Sequence, residues 1–128
     1  MVIYHKLLKL HHYAGDNLTI YSGNDDQTIP VLSLGGKGVI SVLSNIAPKK
    51  ATTMVRDYLE GHYKEAKDAQ LEAIPLINAL FCEVNPIPVK YAVTLLGFSS
   101  GLPRLPLTFL SSTNRTILEN EMKKYGLL

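Results

Sequence analysis

Apolar positions along the chain follow two rhythms, a strand-like one near the front and a helical one elsewhere. Leu18-Thr19-Ile20-Tyr21 is a short β-branched and aromatic run that predicts a strand. Ser22-Gly23-Asn24-Asp25-Asp26 stops it, because glycine and side-chain oxygens favour a turn and a helix N-cap. Thr28 to Leu34 then reads as a short helix, with Pro30 tolerated in its first turn, where no intrahelical donor is needed. Gly35-Gly36-Lys37-Gly38 ends that helix. Val39-Ile40-Ser41-Val42 follows as a second strand with little polar alternation, the pattern of a parallel strand buried on both faces. Together these form one βαβ unit.

Helical spacing governs the rest. Tyr4, Leu7, Leu8 and His11 mark one face of a helix from Tyr4 to Ala14, stopped by Gly15. Pro48 suits the first turn of a helix striped by Ala51, Met54, Val55, Tyr58 and Leu59 and closed by Gly61. A longer helix from His62 to Glu83 places Tyr63, Ala66, Ala73, Ile74, Ile77 and Phe81 on one side, and Pro75 should kink it. Asn85-Pro86-Ile87 breaks the chain. Pro88 then opens a helix with Val89, Ala92, Val93 and Leu96 inward, up to Gly97. Phe98 to Leu110, holding Gly101, Pro103 and Pro106, reads as an extended connector against the helices. Ser112 is the expected N-cap of a last helix, Thr113 to Tyr125, with Ile117, Leu118, Met122 and Tyr125 as its apolar side.

Charge changes this picture little. Thirteen basic and eleven acidic residues are interspersed to a net +2, so neither nucleic acid nor a membrane surface is an expected partner. Met1 to Leu10 is interrupted by His5 and Lys6 too early for a signal-peptide core, and Cys82 is the only cysteine, so no intrachain disulfide forms. A cytoplasmic chain is the expectation.

Candidate chemistry is sparse. His5, His11 and His12 have no carboxylate or cysteine at ligand spacing, so no metal is expected on them. Gly35-Gly36-Lys37-Gly38 lacks the Gly-Lys-Ser/Thr ending of a phosphate loop and precedes a strand, which argues against a nucleotide. Cys82, beside Phe81 on an apolar side, reads as an inert core thiol. Lys37 reads as a solvated loop lysine and Lys90 as a structural or surface lysine in a first helical turn.

The wording of the motifs adds more. YSGNDD, a helix, GGKGVISVLSN, then Asn85-Pro86-Ile87-Pro88-Val89-Lys90 and Arg104-Leu105-Pro106-Leu107 resemble, in order and spacing, the C-terminal part of the dihydrodipicolinate synthase family. The GVISV and NPIPVK wording favours that family over other pyruvate-dependent aldolases of its superfamily. The resemblance implies an α/β fold: the last two strands of a (β/α)8 TIM barrel with their helices over residues 1–61, plus a C-terminal helical appendage over 62–128. A complete barrel takes roughly 250 residues, so 128 residues should supply only part of one.

What the family does is condense pyruvate with aspartate semialdehyde in lysine and diaminopimelate biosynthesis, through an imine on a lysine and a tyrosine that shuttles protons. Both those residues precede the matching stretch in the family, so no residue here is matched to either role. The resemblance places the main chain of Ile40 against pyruvate in an intact barrel, with its side chain in the core and Ile40→Val nearly silent. Gly23, Asn24 and Asp25 fall on the catalytic rim, either as turn glycine and helix cap or as support for the site; Tyr21 should pack or hydrogen-bond beneath them rather than shuttle protons. No cofactor is implied. Two competing readings are a non-catalytic interaction module that self-associates through exposed barrel edges, and a rewired lyase using Lys37 or Lys90.

Overall fold

A computed structural model describes residues 2–98 and 102–128; the side chain of Tyr4 and the connector residue Gly101 lie outside the described residues. The order is α1 (Val2–Ala14), β1 (Tyr21–Ser22), α2 (Thr28–Ser33), β2 (Gly38–Val39), α3 (Pro48–Leu59), α4 (Tyr63–Leu80), α5 (Ile87–Leu95) and α6 (Ser112–Lys124). Short 3-10 turns at Gly15–Asn17, Asp25–Gln27 and Leu43–Asn45 join them.

The two strands are parallel, with Tyr21 opposite Gly38 and Ser22 opposite Val39. Both are shorter than the apolar runs predict. Lys37 N donates to Ile20 O at 2.8 Å and Ile40 N to Ser22 O at 2.8 Å, so pairing stops at Ile40. Burial on both faces is not found either. Ile20 and Ser22 are buried, but Tyr21 is 54% and Ile40 72% exposed, because the sheet has two strands and helices cover only one side of it. Between the strands, Gly36 is required by space: a Cβ there would lie 2.7 Å from Val31 O, so the chain turns back tightly over the end of α2.

The core sits among the helices, where Leu43, Leu76, Leu80, Ala92, Leu118 and Met122 are almost wholly buried in one cluster. On α4 the buried stripe runs Ala66, Gln70, Ala73, Leu76/Ile77, Leu80. It excludes Tyr63 and Phe81, which are exposed although their spacing suggested the apolar side. The helix ends at Leu80, three residues early, so Phe81 falls in the cap and Cys82 beyond it is an exposed thiol, not a core one. Pro75 lies inside α4 on its exposed side, and the helix runs through it. Leu59, Leu8 and Ile117, each expected inward, are also exposed, since each lies at the margin of its stripe.

The N-cap of α6 is Ser111, one residue earlier than expected; its Oγ accepts from Asn114 N at 3.4 Å. Glu83, just after α4, locks this turn by accepting from Ser111 N at 3.1 Å and from Asn114 Nδ2 at 2.7 Å. Those bonds hold the Glu83 carboxyl below its ordinary range.

Lys50, in the first turn of α3, joins three helices. Its Nζ donates to Glu72 Oε1 on α4 at 2.8 Å and to the carbonyl of Tyr125, just past α6, at 2.9 Å. It also lies 3.7 Å from the centre of the Tyr125 ring, a cation over an aromatic face. Burial, with Glu72 close by, pushes the Tyr125 phenol up to about 12.

An unfolded tyrosine ionises near about 10, so the neutral phenol stabilises the fold below that pH and the contribution is lost as pH rises from there toward the folded value. Urea titrations at intervals across that window should show wild type losing stability more steeply than Tyr125→Phe; parallel curves would refute the assignment.

Candidate functional site

In a parallel α/β sheet, reactive groups gather beyond the carboxyl ends of the strands. Here those ends are Ser22, leading into Gly23-Asn24-Asp25, and Val39, leading into Ile40-Ser41-Val42. Parallel pairing brings the two loops side by side, and a buried carboxylate joins them.

Asp25 is 1% exposed. Its Oδ1 accepts from Ser41 Oγ at 2.5 Å, and its Oδ2 accepts from Val42 N at 2.9 Å and Leu43 N at 3.0 Å. A buried charge is costly unless its lone pairs are satisfied, and three donors from the neighbouring loop satisfy this one. The same bonds explain why β2 is short: once the amides of Val42 and Leu43 point at Asp25, the chain cannot continue as a strand and coils into the 3-10 turn Leu43–Asn45. Ser41 Oγ also accepts from Ser44 N at 2.8 Å, which closes that turn.

The Asp25 main chain works as well. Its carbonyl accepts from Thr28 Oγ1 at 2.9 Å and from Gln70 Nε2 at 3.0 Å, while Gln70 Oε1 accepts from Ile29 N at 3.2 Å. Gln70, 6% exposed, therefore ties α4 to the rim. The sequence reading missed Gln70; a polar residue inside the apolar stripe of α4 was the available signal.

The other rim residues differ from expectation. Gly23 is neither left-handed nor crowded, since a Cβ there would meet nothing within 4 Å, so no turn geometry requires glycine at that point. Asn24 occupies the N-cap of the following 3-10 turn without a side-chain cap bond; Ser22 Oγ takes its amide at 3.2 Å and donates to its carbonyl at 2.7 Å. Asp25 caps too, but the turn it caps follows the other strand. Ile40 stands next to Ser41 with its amide bonded to Ser22 O, and its side chain points away from any core.

Tyr21 does not pack beneath the rim. With Val39, Ala51, Val55 and Leu59 it lines an open groove of about 520 Å³ between the sheet and α3. Lys37 is exposed at the opposite, amino end of β2, and Lys90 Nζ donates to Leu102 O at 3.4 Å on the connector. Neither lysine belongs to the Asp25 network. Among the described residues, no helix is long and apolar enough to cross a membrane.

The sequence profile of the Dihydrodipicolinate synthetase family matches residues 3–125. A curated 4-hydroxy-tetrahydrodipicolinate synthase of Lachnoclostridium phytofermentans is 53% identical over 123 residues, covering 96% of this chain and 42% of that protein. Among solved structures, dihydrodipicolinate synthase of Aquifex aeolicus superposes with a TM-score of 0.92 at 37% identity, over 96% of this chain and 42% of that one. The chloride-inhibited enzyme of Acinetobacter baumannii, complexed with pyruvate, does so with 0.90 at 35% identity, over 97% and 43%. The chain thus spans about two-fifths of the length of the curated relatives it matches.

Replacing Asp25 by Ala strands buried donors, at roughly 1–3 kcal/mol for each group left unpaired. Hydrogen exchange followed by NMR should show the amides of Val42 and Leu43 exchanging faster in Asp25→Ala; unchanged protection there would rule out the carboxylate as what holds the loop.

Proposed function

Since this chain belongs to the dihydrodipicolinate synthetase family, we propose that it is the C-terminal part of a synthase barrel, which contributes one wall of a pyruvate site and does not catalyse the condensation by itself. What carries this reading is the Asp25 network at the carboxyl ends of two adjacent parallel strands, next to Ile40. In that role Asp25 fixes the Ser41–Leu43 loop, and with it the main chain of Ile40 that would face pyruvate in an intact barrel. Gly23 and Asn24 form the adjoining rim. The condensation with aspartate semialdehyde, in lysine and diaminopimelate biosynthesis, is the activity of the whole assembly in the cytoplasm. The imine lysine and shuttle tyrosine come from strands that this sequence does not supply.

Neither Lys37 nor Lys90 has the surroundings of an imine-forming amine. Lys37 is exposed on the far end of the sheet and Lys90 lies along the connector, so neither stands beside the Asp25 network. When the 128-residue chain is incubated with pyruvate and reduced with borohydride, its intact mass should stay unchanged. A stable adduct on either lysine would overturn the proposal in favour of a rewired lyase.

A second reading, an interaction module, is favoured by the exposed sheet. Two paired strands leave backbone edges open, and Tyr21 and Ile40 present apolar surface beside them. The chain should therefore self-associate through these edges. Sedimentation velocity over a wide concentration range is the check: a monomer throughout contradicts edge pairing, and Ile40→Lys should shift any oligomer toward monomer.

A further inference from the structure

At the end of α3 remote from the rim, three side chains of metal-ligating type meet. Asp57 lies in the last turn, Glu60 is the C-cap and His62 follows Gly61. One ligand atom from each lies within 4.8 Å of the other two, and His62 Nδ1 is 3.9 Å from Glu60 Oε2. From this cluster we propose a binding site for a divalent first-row transition metal, of the zinc class, that has no part in handling pyruvate.

The backbone sets the three residues in place. Gly61 takes φ +89, its amide donates to Tyr58 O at 3.1 Å, and His62 N donates to Asp57 O at 2.8 Å. This paired termination folds His62 back over the last turn, toward Asp57 and Glu60. The carboxyl end of a helix carries partial negative charge, which favours a cation. Two carboxylates and one imidazole form a mixed oxygen and nitrogen donor set; the imidazole disfavours calcium and magnesium, which prefer all-oxygen shells, and suits zinc.

Two ligands about 2.1 Å from a tetrahedral ion stand roughly 3.4 Å apart, so the cluster needs a modest contraction. Glu60 and His62 are exposed and free to make it, while Asp57 is more enclosed. Arg56 Nη2, 3.9 Å from Asp57 Oδ1, is the neighbouring cation that the ion must outcompete, and its guanidinium is exposed enough to swing away. Water completes the coordination.

Isothermal titration of zinc into the 128-residue chain, with circular dichroism to confirm folding of each variant, tests the site. The expected result is one saturable site that His62→Gln and Asp57→Asn each weaken by at least about tenfold. The double variant His5→Gln/His12→Gln, which removes the exposed imidazoles of α1, should retain it. Absence of saturable binding, persistence of the site in either His62→Gln or Asp57→Asn, or its loss in the α1 double variant would overturn the proposal.

Discussion

The carboxylate of Asp25 is the interaction on which the arrangement of this chain depends. Its oxygens have almost no access to water, and a hydroxyl and two main-chain amides converge on them from the loop after the other strand. That requirement works in both directions. The loop satisfies the charge, and the charge decides where β2 stops, how Leu43–Asn45 coils and where Pro48 can begin α3. Leu43, delivered by the same turn, is a fully buried member of the helical core, so the polar rim and the apolar interior share one piece of backbone.

A second polar residue extends this control across the chain. Gln70 stands in the buried stripe of α4, and both ends of its amide are used, one on Asp25 O and the other on Ile29 N. Helix α4 is thereby registered against the start of α2 by directional bonds, where apolar packing alone tolerates some sliding. Two residues further along α4, Glu72 takes part in a second connection: Lys50 links α3, α4 and the residue after α6, with its charge answered by Glu72 and by the face of Tyr125.

The sheet is held from one side only. Its covered face supports the rim, while its other face and its edges carry exposed Tyr21 and Ile40. That contrast fits a segment of a larger barrel: everything needed to shape one wall is internal to the chain, and what remains open is the surface a barrel would close. The match to about two-fifths of the length of each synthase relative supports the same conclusion.

Much of this was legible from the sequence. Helix positions followed from apolar spacing with proline and glycine punctuation, because Pro48 and Pro88 at helix starts and Gly61 and Gly97 past helix ends act through local backbone geometry. The order of motifs carried the family and the part-barrel fold, which the matching profile and superpositions then showed. What the residues alone left undecided was long-range. An apolar residue at a strand position is buried only if something covers it, so Ile40 and Tyr21 are exposed in this chain. Cys82 and Phe81 moved out of the core because α4 ended early. Nor does sequence reveal that Asp25 caps a turn 17 positions away or that Gln70 reaches back 45, since hydrogen bonds between distant segments exist only once packing has brought the partners together.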